Sequence, residues 1–138
     1  MAKILFVTHG KMASGMQSTL EIIAGHCSQL TAIDAYVDAK NIQETINKYF
    51  RQLQDNDQLI MLSDIENGSA NQLLFKHLER PKTVLFTGVN LPLLLQLILI
   101  GNKELSDSDL KKILEESRTA IKLFQNIEQD EDEDEDFF

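Results

Sequence analysis

An α/β domain of three layers, with a mainly parallel four-stranded sheet between helices, is the fold class this sequence predicts. Three observations carry it. Short apolar runs alternate with longer stretches of helical spacing from the first residues onward. The loops between them are short, as βαβ crossovers require. Three of the apolar runs hand over to polar residues at their carboxyl ends: Thr8-His9-Gly10, Ser63-Asp64 and Thr87-Gly88-Val89-Asn90. That is where an open α/β sheet binds its ligands.

The elements follow in order. KILFVT, residues 3–8, is short and rich in β-branched and aromatic residues, and so reads as a buried strand. Met16, Leu20 and Ile23 then recur at helical spacing, with Gly25 as the stop. Residues 30–37, LTAIDAYV, give a second strand. From 41 to 54 the residues Ile42, Ile46, Tyr49, Phe50 and Leu53 form the clearest amphipathic stripe in the chain. QLIMLS, residues 58–63, is the third strand, ending at Asp64. After the loop DIENGS comes a helical stripe of Ala70, Leu73, Leu74 and Leu78. Pro81 breaks the chain before TVLFT, residues 83–87, the fourth strand. NLPLLLQLILIG, residues 90–101, is a largely buried helix with Pro92 in its first turn, where proline is tolerated. The segment from Ser106 opens with two acids in a first turn and sets Leu110, Ile113 and Leu114 on one face. AIKLFQNI, residues 120–127, continues that helix or adds an antiparallel edge strand; pattern leaves both open.

The chain has 138 residues, enough for one domain with a substantial core, and 43% of them are hydrophobic. Two parts are predicted, a folded domain over 1–127 and a disordered acidic tail over 128–138. The net charge of −9 comes mostly from that tail, where residues 130–136 read DEDEDED. Such a like-charge block does not bury enough apolar surface to fold. It reads as an inert solvated terminus, or as a docking arm with Phe137-Phe138 as its anchor. The rest of the chain is close to neutral, which argues against nucleic acid and membrane-surface binding. Met1-Ala2-Lys3 leads straight into a strand, so no leader is predicted. The longest apolar stretch holds Pro92 and Gln96 and is well short of the roughly 20 residues a spanning helix needs. The single cysteine, Cys27, excludes an internal disulfide and fits a reducing cytoplasm. No Cys/His spacing resembles a zinc site, and neither metal nor cofactor is expected.

The chemistry gathers around His9. Neighbouring strands would bring the tips at His9 and Asp64 together. A carboxylate accepting the Nδ1–H of an imidazole leaves Nε2 with a free lone pair, which makes a nucleophile or base. Gly10 and Gly15 flank the loop leading into the first helix, whose N-terminus would offer N–H groups to an anion. The loop ENGSAN supplies a second set of N–H donors and the Ser69 hydroxyl. Together these describe a transient phosphohistidine site. His26 lies in a presumed loop and His77 on a helix boundary; neither has such surroundings.

Three segments then carry a family resemblance. VTHGKMASG with STLEIIAG behind it, LSDIENGSANQL, and TGVNLPLLLQL resemble the active-site, Asp-Leu-x-Gly-Gly-Ser/Thr-Pro-x-Asn and Gly-Val-Asn-Leu-Pro-Met motifs of the IIA component of the mannose/fructose/sorbose class of the bacterial sugar phosphotransferase system. The resemblance covers roughly residues 3–125. It implies that His9 is phosphorylated, that Asp64 holds its Nδ1, and that Gly10, Gly68 and Ser69 surround the phosphoryl group. It implies HPr as donor, a IIB component as acceptor, and a homodimer exchanging a C-terminal strand, for which residues 120–127 are the candidate. The Asn90–Pro92 turn would shape the rim that faces partners. The chain departs from the family at Asn67, where glycine is usual, at Ala70, where proline is usual, and at Leu93 in place of methionine. Asparagine tolerates the left-handed backbone better than most residues, so the first change leaves the loop feasible.

Other classes compete. Ser69, His9 and Asp64 are the residue types of a hydrolase triad, but no Gly-x-Ser-x-Gly elbow surrounds the serine. A non-catalytic anion- or nucleotide-binding module would use the same helix N-termini, yet neither a Walker loop nor a Gly-x-Gly-x-x-Gly fingerprint is present. A regulatory IIA-like protein without a transporter would look the same in sequence.

Overall fold

The computed structural model describes residues 1–126. Four strands, β1 (Ala2–His9), β2 (Leu30–Ala35), β3 (Gln58–Ser63) and β4 (Thr83–Phe86), form one sheet in the order β2-β1-β3-β4. All three pairings are parallel. Helices α1 (Met12–Ala24), α2 (Ile42–Gln52), α3 (Ser69–Phe75), α4 (Leu91–Ile100) and α5 (Asp107–Arg118) connect and follow the strands, and a short 3₁₀ turn, Lys76–Glu79, extends α3.

The β1 pattern explains the layers. Successive side chains of a strand point to opposite faces, and here both faces are buried. Ile4 and Phe6 enter one core with Leu20 of α1, Leu94 and Leu97 of α4 and Ile113 of α5. Leu5 and Val7 enter a second core with Ile46 of α2 and Leu74 of α3. This is why β1 and β3 read as continuous apolar runs instead of alternating ones. Three layers result, with α1, α4 and α5 on one side and α2 and α3 on the other.

Helix starts are fixed by side chains the sequence supplies. Asn41 Oδ1 accepts from the N–H groups of Gln43 and Glu44. Asn90 Oδ1 accepts from Leu93 N–H, with Pro92 in the first turn as predicted. Ser106 and Asp109 make a reciprocal capping box at α5. Asn90 also donates from Nδ2 to Ser117 O at 2.8 Å, which ties the start of α4 to the end of α5.

Some expectations shift. Ile23 and Leu114 were predicted to face the core but are 54% and 39% exposed. Ile23 lies about 60° around its helix from Leu20 and Leu114 about 40° from Leu110, each at the flank of the buried stripe. Strand β2 ends at Ala35, two residues before the predicted end, because Tyr36 turns into the left-handed region at φ 65°. Residues 120–126 belong to neither a continued helix nor a strand, and Ile121 and Leu123 are exposed there. Residue 127 and the acidic tail lie outside the described residues. Among the described residues no helix is long and apolar enough to cross a membrane.

Candidate functional site

The chain enters at β1, passes to β2 on one side, and then crosses to β3 on the other. The switch point therefore falls between β1 and β3, and both tips carry the predicted side chains. Val7 pairs with Ser63 in the register, so His9 and Asp64 emerge side by side. Asp64 Oδ2 accepts two hydrogen bonds from His9, from the backbone N–H at 2.9 Å and from ring Nδ1 at 2.8 Å. Its other oxygen accepts from Ile65 N–H at 2.9 Å.

Partial burial by itself would raise the Asp64 carboxyl. The His9 backbone and ring hydrogen bonds, the Ile65 N–H and the proximity of the imidazole outweigh it, and hold the group below the ordinary carboxylate range. An ionised Asp64 only accepts, so Nδ1 carries the proton and Nε2 keeps its lone pair. That lone pair meets Ser69 Oγ at 3.0 Å, and the hydroxyl is the donor. His9 remains partly open to solvent, with 42% of its side chain exposed against 11% for Asp64.

The loop that carries Ser69 is shaped by two residues. Asn67 has φ 63°, so the position where the family usually has glycine does use the left-handed region, and asparagine fills it. Gly68 has an ordinary φ of −71°, but a Cβ there would lie 3.0 Å from Ile65 Cγ1 and 3.1 Å from His9 Cε1. Glycine at 68 thus lets the loop approach the imidazole closely, and any side chain there would press on His9 and Ile65. Behind the loop, the buried Ser63 and Asn71 and the exposed Thr87 form a polar chain. Ser63 Oγ donates to Asn71 Oδ1 at 2.7 Å and lies 2.9 Å from Thr87 Oγ1. The link joins the tips of β3 and β4 to the first turn of α3.

The α1 side differs from the sequence-based picture. Gly10 takes φ 56° and donates its N–H to Ala35 O at 3.0 Å, so its amide serves the turn. Ala13 N–H donates to Thr8 Oγ1 at 2.9 Å, and Ser14 N–H to Asp34 Oδ1 at 2.9 Å. Much of the first turn of α1 is therefore already engaged. The first turn of α3, by contrast, has no side-chain cap.

Structure adds roles that the sequence did not assign: Thr8 and Asp34 hold N–H groups of the first turn of α1, Asn71 is a brace, and Tyr36 lies against His9. The Tyr36 and His9 ring centroids are 5.5 Å apart. An aromatic residue just past a strand gave no signal of this, because the contact depends on a left-handed turn. The other histidines stand apart from the constellation. His26 pairs with Glu21 at 3.6 Å, and His77 stacks on Phe50 with centroids 3.9 Å apart. Among the described residues no three His, Cys, Asp or Glu side chains converge as a metal site.

A doubly wound α/β domain with an aligned, half-open histidine at its switch point is the class these features define. The PTS system fructose IIA component family, PTS being the sugar phosphotransferase system, has a model that matches residues 3–114, and the chain belongs to that family. No curated protein matches it. Among solved structures it is similar to a protein assigned as a phosphoenolpyruvate-dependent sugar phosphotransferase system permease of Klebsiella pneumoniae, with 25% identity, TM-score 0.82, and 88% of this chain and 90% of that one covered. It is similar to a IIA protein associated with the fucose utilization operon of Streptococcus pneumoniae, at 26% identity and TM-score 0.76, over 88% and 92%. A mannose/sorbose-specific IIA subunit of Enterococcus faecalis shares the fold at 16% identity and TM-score 0.76, over 94% and 98%.

Proposed function

We propose that this protein is a phosphohistidine carrier of a sugar phosphotransferase system, taking a phosphoryl group from HPr onto His9 and passing it to a IIB component. The observation that carries the reading is the placement of His9 between Asp64 at Nδ1 and Ser69 at Nε2. One nitrogen is protonated and anchored; the other presents a lone pair to an entering group.

Phosphoryl transfer leaves a protein little covalent chemistry to do, and catalysis is mainly positioning and charge stabilisation. Asp64 fixes the tautomer and balances the charge that develops on the ring. The Ser69 hydroxyl, which donates to Nε2 before the reaction, turns to a phosphoryl oxygen once Nε2 is substituted. The N–H of Ser69, in the uncapped first turn of α3, faces the same charge, while that of Gly68 is held by Ile65 O. Gly10 contributes the turn that delivers His9. The carrier works as a homodimer in the cytoplasm.

Intact mass after incubation with phosphoenolpyruvate, enzyme I and HPr tests the reading. The expected result is one acid-labile, base-stable phosphoryl group, absent in His9→Gln and diminished in Asp64→Ala. If active donors add nothing to the wild type, the reading fails in favour of a non-catalytic anion-binding module.

A further inference from the structure

Tyr36 stands one residue beyond β2 with φ 65°, a region that bulky residues rarely enter. Backbone outliers of this kind cost free energy and persist where the surroundings enforce them, often beside functional groups. Burial does not account for this one, because Tyr36 is 53% exposed. What the conformation does deliver is the ring. The phenol lies beside the His9 imidazole with centroids 5.5 Å apart and planes tilted by 32°. The chain is anchored just before it: Ala35 pairs with His9 in the sheet register and accepts the Gly10 N–H.

We propose that Tyr36 is a positioning residue for His9, holding the imidazole plane and stabilising, through its π face, the positive ring formed when Nε2 bonds to an electrophile. The identity of the natural electrophile rests on the phosphocarrier reading. In that transfer the Nε2 lone pair forms the new N–P bond. The P–N bond of the phosphohistidine donor breaks, and its electron pair returns to the donor nitrogen. The Nδ1 proton stays in place on Asp64, so the His9 ring becomes cationic while the phosphoryl oxygens keep their negative charge. An aromatic face within about 6 Å of a cation attracts it. Asp64 meets that charge in the plane of the ring, and Tyr36 meets it from one side. Asp64 at Nδ1, Gly68 at Cε1 and Tyr36 beside the ring together restrict its rotation.

Two variants separate the π contribution from bulk. Tyr36→Phe keeps the aromatic face; Tyr36→Leu keeps an apolar side chain and the same backbone demand without it. The labelling rate at His9 is measured by mass spectrometry with two small reagents, phosphoramidate and diethyl pyrocarbonate, and with phosphorylated HPr. Both small reagents are attacked by Nε2 without a docked protein. Tyr36→Leu is expected to slow labelling about two- to fivefold with each small reagent, as an exposed cation–π contact implies, while Tyr36→Phe matches the wild type. Equal rates for Leu and wild type overturn the proposal, as does a Phe variant as slow as Leu. Slowing confined to phosphorylated HPr also overturns it, and would make Tyr36 a donor-contact residue. If the wild type is acylated but accepts no phosphoryl group from any donor, the phosphocarrier reading fails. The acylation rates still decide the role of Tyr36 in that case.

Discussion

Replacing Gly68 with alanine tests how tightly the loop closes on His9. The backbone of Gly68, at φ −71°, suits alanine without strain. Seen from the unfolded state alone, the substitution stabilises by roughly 0.4–1 kcal/mol, because alanine has less chain entropy to lose. Against this, the new methyl group would sit 3.0 Å from Ile65 Cγ1 and 3.1 Å from His9 Cε1. Carbon atoms prefer separations of about 3.5–4.0 Å, so something must move by about half an ångström. The imidazole is tethered at both nitrogens and does not yield freely, although the exposed Ile65 side chain can rotate away. Overpacking of this kind costs about 1–3 kcal/mol, which exceeds the entropic gain at most values in the two ranges. A net loss of roughly 0.5–2 kcal/mol follows, visible as a melting temperature several degrees lower. The rate of phosphoryl acceptance should fall by at least about tenfold, since small misplacements of a reacting group are costly. Differential scanning calorimetry and timed intact-mass labelling read the two effects. Gly15→Ala is the control: it lies inside α1, no atom stands within 4 Å of its added Cβ, and it should stabilise by about 0.5–1 kcal/mol. A Gly68→Ala protein as stable as wild type and equally quick to label would refute the reasoning.

Other outcomes are expected. Asp64 has its folded pKa lowered, so it contributes stability above the ordinary carboxylate range and loses it as pH falls through the folded value; urea midpoints of wild type should drop more steeply on acidification than those of Asp64→Asn. Tyr49 is pushed up to about 12, first by burial and then by Asp57, so stability should decline between its ordinary value near 10 and about 12, where only the unfolded phenol ionises. Its buried hydroxyl has no hydrogen-bond partner among the described residues, so Tyr49→Phe should be neutral or stabilising near pH 7 and flatten that alkaline decline in chemical denaturation. Asn67→Gly should leave the melting temperature within a few degrees of wild type, whereas Asn67→Val, forced to φ 63°, should lose about 1–2 kcal/mol. Asn90→Ala removes the cap of α4 and the link to Ser117, and should lower thermal stability by roughly 1–3 kcal/mol while His9 still accepts phosphate.

Much of the architecture was legible in the sequence because burial wrote it there. Gln58–Ser63 is a strand over the predicted residues, since a run buried on both faces has no other explanation at that length. The apolar stripe through Ile42 and Ile46 located α2. His9 and Asp64 were readable as a pair because both close apolar strands, and the parallel order β1-β3 brings such ends together. What was not readable depends on contacts across the fold. Asp34 captures the Ser14 N–H from a strand 20 positions away, and so takes a donor that local sequence offers to an anion. Tyr36 reaches His9 only through its left-handed backbone, for which an aromatic residue is a poor marker. Ile23 and Leu114 mislead because helical spacing gives the direction of a face but not its width.

The shared oxygen of Asp64 has a further consequence for folding. Its two donors, the backbone N–H and ring Nδ1 of His9, 55 positions away in sequence, reach it only when β1 and β3 are in a single register. A slip of one residue would displace the tip by about 3.3 Å and turn each side chain to the opposite face. The site therefore has no partial form: a collapsed chain with all its helices but a misaligned sheet would hold an ordinary, untethered histidine. Phosphoryl acceptance at His9 during refolding would then count molecules with β1 and β3 correctly registered.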